Sequence, residues 1–133
     1  LHLSIRRQRQ MCIRDSISIA LDEELIGVND LQSKEMLLQE INPQYIILKP
    51  SLHGGITGST EWIELAKQKG IKSWITSALE SNIGLNVIAQ FASYIYPKDQ
   101  QMPQGLGTGQ LYTNNIEMPL AIKKVELWFL KNS

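Results

Sequence analysis

The chain has 133 residues, with thirteen Lys plus Arg balancing thirteen Asp plus Glu, the size of one ordinary domain without net charge. That neutrality excludes the basic footprint of a nucleic-acid binder. A mean hydropathy of -0.15 and the lack of any apolar run near about eighteen residues exclude a transmembrane helix, while 43% apolar residues suffice for a core. The single Cys12 excludes a disulfide framework and a Cys-based zinc site. The basic start runs into Gln, Arg and Asp, unlike a signal peptide. These features describe a soluble protein of a reducing compartment, cytoplasmic, with no membrane or nucleic-acid partner.

All the arginines (Arg6, Arg7, Arg9, Arg14) lie with Cys12 in residues 1–16, which carry a net +3, whereas residues 17–133 hold nine lysines and a net -3. A basic N-terminal arm would look this way, and so would sequence from two sources. Met11-Cys12-Ile13-Arg14-Asp15-Ser16 is what one frame of a transposon end used in sequencing libraries encodes. Residues 1–16 are therefore expected to be a non-native leader, a translated sequencing adapter. On that reading the chain is a fragment.

From Ile17 onward, short apolar runs alternate with amphipathic stretches. Ile17, Ile19 and Leu21 share one phase of a first strand, with Ser18, Ala20 and Asp22 in the other. Asn29 or Asp30 caps a helix through Ile41, with Leu37, Leu38 and Ile41 on its apolar side and Asn42-Pro43 as its stop. Tyr45 to Leu48 is the second strand. Ser59 or Thr60 opens a second helix that has Glu61 and Glu64 early, Lys67 and Lys69 late and Gly70 at its end, in keeping with the helix dipole. Ile71 to Ile75 is the third strand, and a third helix places Ile83, Val87, Ile88, Phe91, Ala92 and Ile95 on one face before Pro97. Val125, Leu127 and Phe129 alternate with Lys124, Glu126 and Trp128 as a C-terminal strand with one buried face.

Strand ends recur at a fixed interval. Asp22 to Lys49 is 27 residues, Lys49 to Ser77 is 28 and Ser77 to Gly105 is 28. Strands alternating with helices at this interval imply right-handed βαβ units and a parallel sheet, open or closed. Three and a half such units amount to about half of a (β/α)8 barrel. In either architecture, function sits where the strands' C-terminal ends lead into helices. Those loops here carry Asp22-Glu23-Glu24, Lys49-Pro50-Ser51, Thr76 to Ser81 and Gly105 to Gly109.

Strand alternation turns Asp22 inward with Ser18 and Ala20, Lys49 inward with Ile47, and Ser77 inward with Ser73 and Ile75. It sends Thr76 outward, and turns Ile46, Leu48 and Trp74 onto the helices. An inward carboxylate needs a partner. For Asp22 a hard cation is one candidate, and the triplet alone favours a capping or loop carboxylate. Lys49 reads equally as a strand-end salt bridge to Asp22 and as a catalytic lysine. The hydroxyls of Thr76 and Ser77 serve to bind a carboxylate or to cap the next helix. Glu80 complements a helix dipole, Glu23 and Glu24 are solvated, His53 is a loop histidine, and the glycine loop is a weak phosphate signal.

Ala20-Leu21-Asp22-Glu23, Ile47-Leu48-Lys49-Pro50-Ser51, Thr76 to Leu85 and Gly105-Leu106-Gly107-Thr108-Gly109, in this order and spacing, resemble the C-terminal half of the o-succinylbenzoate synthase family in the enolase superfamily. The resemblance runs from about Ile17 to the end. It implies an α/β fold: the C-terminal half of a (β/α)7β TIM-like barrel over 17–116, then a tail over 117–133 returning to a capping domain. The capping domain's main body and the first barrel half are absent from the chain. It also implies a Mg2+ cofactor held by three carboxylates, of which Asp22 matches the third. The family is a carbon-oxygen lyase of menaquinone synthesis, acting on a small carboxylate substrate with lysines on opposite sides of it. Lys49 matches the second lysine, which stabilises negative charge, and Thr76, Ser77 and Gly105 match positions lining the succinyl carboxylate pocket. The first lysine and two metal carboxylates have no match here, so the chain alone is expected to be inactive. Alternatives are a muconate cycloisomerase or dipeptide epimerase of the same superfamily, and a non-catalytic α/β module that binds phosphate through the glycine loop.

Overall fold

A computed structural model describes residues 17–96, 102–107, 112–124 and 126–130. The leader expected at 1–16, Pro97, Thr108 to Leu111 and Val125 lie outside the described residues. Three parallel strands, β1 (Ala20–Leu21), β2 (Tyr45–Leu48) and β3 (Lys72–Ile75), form a sheet in sequential order. Helices α1 (Leu31–Ile41), α2 (Gly55–Gln68) and α3 (Asn82–Ile95) alternate with them, and a short 3-10 turn (Glu23–Leu25) follows β1. Parallel strands joined through helices are the βαβ repeat read from the spacing, and the sheet continues one position beyond β3. There Thr76 and Gly105 form an isolated parallel bridge, with the Gly105 N–H donating to the Ile75 carbonyl at 3.2 Å.

Local chemistry sets the helix ends. The Asp30 carboxylate accepts from the Ser33 N–H at 2.8 Å to cap α1, and that bond holds the carboxyl below its usual range. Asn42 ends α1 in the left-handed region at φ 48°. At the end of α2 the Ile71 N–H reaches the Ala66 carbonyl at 2.8 Å and the Gly70 N–H reaches that of Lys67 at 3.1 Å. This paired closure needs the left-handed residue that Gly70 supplies at φ 71°. The start of α2 departs from expectation. It lies at Gly55, four residues before Ser59, because the left-handed Gly54 turns the chain into the helix without a side-chain cap. Thr60 instead bonds back to the Ile56 carbonyl inside the helix.

The main core lies between the sheet and the helices and contains Leu21, Leu25, Leu38, Ile46, Leu48, Trp62, Leu65, Ala66 and Ile71. A second cluster joins Ile75 to Ile88, Phe91 and Ala92 of α3. Ile83 and Val87, expected on the buried face of α3, are exposed, and Leu85 is buried in their place. The phase of β3 is also corrected. Ile46 pairs with Ser73, Ile47 with Trp74 and Leu48 with Ile75, and paired residues share a face. Ser73 and Ile75 therefore face the helices, and Trp74 lies on the other face against the Tyr45 ring, centroids 5.6 Å apart. Register decides this, and a one-residue slip reverses every side chain.

At the C-terminus, β4 (Leu120–Lys123) and β5 (Glu126–Phe129) pair as an antiparallel hairpin. The expected buried face does not form among the described residues. Of that face Leu127 is half-buried and Phe129 exposed, Val125 lying outside the described residues, and Trp128 on the opposite face is exposed, since alternation creates two faces but only a packed partner buries one.

Candidate active site

Because the strands are parallel, their C-terminal ends lie on one side of the sheet, and each is followed by a loop carrying polar groups. Ala20 pairs with Tyr45 and Leu21 with Ile46, which aligns the first two ends. Asp22 and Lys49, 27 residues apart in sequence, meet there, with Lys49 Nζ donating to Asp22 Oδ1 at 2.6 Å. The lysine side chain is 17% exposed and the aspartate side chain 35%, so the pair is partly desolvated. Each supplies the counter-charge that a half-buried ion requires.

On the next strand end, the Thr76 hydroxyl donates to the Gly105 carbonyl at 2.8 Å and the Ser77 hydroxyl to the same carbonyl at 3.1 Å. The Ser77 N–H reaches it as well, at 2.9 Å. Thr76 follows Ile75 in the phase of Trp74, which the register places on the face of Ile47 and hence of Lys49. The outward placement expected for Thr76 from alternation is thus reversed, for the same reason as Trp74, and the inward placement expected for Ser77 loses its basis, because Ser73 and Ile75, whose phase it shares, face the helices. Asp22, Lys49, Thr76 with Ser77, and Gly105 follow one another along the sheet in sequence order.

Three features of this end were not legible in the sequence. His53 is 3% exposed, and its Nδ1 accepts the Lys49 main-chain N–H at 2.8 Å. Burial, the largest influence, holds its imidazole below the ordinary histidine range against the opposing pull of the Asp22 carboxylate. The Ser51 hydroxyl donates to Glu80 Oε1 at 2.5 Å, tying the loop after β2 to the loop after β3. Glu80 thus latches two loops, and Ser81 caps α3 through the Gly84 N–H at 3.4 Å. Lys34 of α1 is buried, with its Nζ 2.6 Å from Glu61 and 5.5 Å from the Trp62 ring centroid. The only sequence signal for His53 was its place between Lys49-Pro50 and Gly54-Gly55; Lys34 gave none.

No group of three His, Cys, Asp or Glu side chains comes together among the described residues, and Asp22 is the candidate oxygen donor for a cation at the end of β1. Of the glycine loop, Gly105 and Gly107 are described, and Thr108 and Gly109 lie outside the described residues. No described helix is long and apolar enough to cross a membrane.

No protein-family model matches the chain. Among curated proteins, it is 55% identical over 112 residues to the o-succinylbenzoate synthase of Desulfotalea psychrophila, covering 84% of this chain and 29% of that protein. It is 34% identical over 89 residues to the o-succinylbenzoate synthase of Haemophilus influenzae, covering 67% of this chain and 26% of the relative. The crystal structure of MenC from Desulfotalea psychrophila superposes with a TM-score of 0.76 at 55% identity, over 84% of this chain and 30% of that one. The muconate lactonizing enzyme of Pseudomonas putida superposes with a TM-score of 0.72 at 20% identity, over 92% of this chain and 34% of that one, a likeness of fold alone. The chain thus spans less than a third of the length of these curated relatives.

Proposed function

We propose that the chain, which over the stretch it shares with its relatives belongs to the o-succinylbenzoate synthase family, carries the charge-stabilising side of that enzyme's active site. The reaction is the dehydration of 2-succinyl-6-hydroxy-2,4-cyclohexadiene-1-carboxylate to o-succinylbenzoate in menaquinone synthesis. The observation that carries this reading is the Asp22–Lys49 pair, 2.6 Å apart at adjacent parallel strand ends.

When a proton leaves the carbon beside a carboxylate, negative charge spreads onto the carboxylate oxygens. A partly desolvated ammonium held in place stabilises that charge more than it stabilises the ground state. Lys49 is such a group. Its side chain is mostly buried and its position is fixed by Asp22, so little reorganisation is needed as the charge develops. The proton-abstracting lysine is assigned to the part of the enzyme outside this chain. Thr76, Ser77 and Gly105 are assigned to the succinyl carboxylate. The Gly105 carbonyl already accepts the Ser77 N–H, so either hydroxyl can rotate away to donate to a carboxylate without leaving that carbonyl unpaired.

Mg2+ is the implied cofactor, and when bound it supplies positive charge on the substrate carboxylate. The ion demands a near-octahedral oxygen shell. The described residues fit it only in part, through Asp22, and its other carboxylates are assigned outside them. On the same reading, residues 17–116 form part of the barrel, 117–133 form the tail that returns to the capping domain, and 1–16 are a non-native leader.

The test joins residues 17–133 to the preceding portion of the Desulfotalea psychrophila relative and follows o-succinylbenzoate formation. The chimera is expected to turn over with Mg2+, the 133-residue chain alone is not, and Lys49→Ala in the chimera loses about 10²–10³-fold in kcat. A Lys49→Ala chimera that retains activity within about threefold would remove the role given to Lys49.

A further inference from the structure

We propose that His53 is a positioning residue for Lys49, a role that rests on the reading of Lys49 given above: a neutral imidazole protonated on Nε2 accepts the Lys49 main-chain N–H on Nδ1 and fixes the strand-end conformation from which the lysine reaches Asp22. Strand β2 ends at Leu48, whose carbonyl accepts the Thr76 N–H at 2.8 Å. On the opposite side β1 is only two residues long, and its pairing with β2 stops at Leu21 and Ile46. The Lys49 N–H therefore leaves the ladder without a strand partner and needs an acceptor from elsewhere. His53 supplies it at 2.8 Å from four residues down the chain.

The loop is built to bring the ring back. The Lys49 carbonyl accepts the N–H groups of Leu52 at 2.8 Å and His53 at 3.1 Å, and the Pro50 carbonyl accepts that of Gly55 at 2.8 Å. Gly54 and Gly55, at φ 81° and 69°, then carry the chain into α2. A backbone N–H aimed at Nδ1 requires a lone pair there, so the neutral ring carries its proton on Nε2. That Nε2 is buried on the side of Asp22, whose main chain favours a proton there. An apolar ring would fill the same space. What the imidazole adds over such a ring is the Nδ1 acceptor beneath Lys49.

The experiment uses the 15N-labelled 133-residue chain. Long-range proton–nitrogen correlation is expected to show an unprotonated Nδ1 and a protonated Nε2 on His53. His53→Phe keeps a ring and removes the acceptor, and should speed exchange of the Lys49 amide about tenfold while Ile46 and Trp74 change less than about twofold. His53→Asn restores an acceptor oxygen near the Nδ1 position and should bring Lys49 exchange back to within about threefold of the parent. In the chimera, His53→Phe should lower kcat with KM nearly constant, and His53→Asn should recover it.

A proton on Nδ1, or unchanged Lys49 exchange in a folded His53→Phe variant, overturns the proposal. Should His53→Phe lose its dispersed spectrum, the ring tautomer of the parent and the Asn variant decide the question. The tautomer and exchange readouts need no turnover, so loss of the catalytic role of Lys49 and loss of the clamp are separately visible.

Discussion

Gly58→Ala sets two effects of opposite sign against each other. Gly58 is the fourth residue of α2, and alanine inside a helix is favoured over glycine by about 1 kcal/mol, less in a first turn. A Cβ at this position, however, collides with the His53 carbonyl oxygen and lies 3.2 Å from its carbon. The obstacle is main chain, in a turn held by hydrogen bonds from Leu52, His53 and Gly55 and closed by the Gly58 N–H on the Gly54 carbonyl at 3.0 Å. Overpacking against such a site costs about 1–3 kcal/mol, so the net expectation is a loss of about 1–2 kcal/mol. Urea denaturation should show a lower midpoint with an unchanged slope. Because the displaced group is the His53 backbone, the Lys49 amide should also exchange faster. Gly107→Ala is the control, since nothing lies within 4 Å of a Cβ there, and it should stay within about 0.5 kcal/mol of the parent. A Gly58→Ala protein as stable as the parent, or more stable, would refute this packing account.

Two further outcomes are expected. Lys34 is buried while the Glu61 side chain is 40% exposed, so Glu61→Gln, which removes the counter-charge of the buried ammonium, should cost about 1–2 kcal/mol by urea denaturation; Lys34→Met should stay within about 1 kcal/mol, and equal losses would contradict the asymmetry. Burial pushes the Tyr96 hydroxyl up from its usual value of 10.0, against a hydrogen bond shared with the Ser73 hydroxyl at 2.9 Å. The unfolded chain therefore releases this proton first, and stability present below pH 10.0 falls as pH rises above it. Tyr96→Phe should flatten that part of the alkaline limb in denaturation measured against pH.

The sequence by itself determined the features that depend on near neighbours or on spacing. Tyr45–Leu48 has the bounds read from its apolar run, Asp30 caps α1, and Gly70 closes α2, because propensity and capping are decided within a few residues. The 27-residue interval between Asp22 and Lys49 likewise placed both at the ends of adjacent strands, since a repeated βα unit returns the chain to the same edge of the sheet. Tertiary structure alone decided what depends on distant partners. The face of Trp74 and Thr76 followed from the register of β3 on β2. Burial of His53 and Lys34 followed from partners contributed by other segments, with Asp22 beside the His53 ring and Glu61 and Trp62 around the lysine. Alternation and composition report which residues favour burial. Whether a polar side chain is buried, and which way a short strand faces, is set by groups more than twenty residues away that no local pattern encodes.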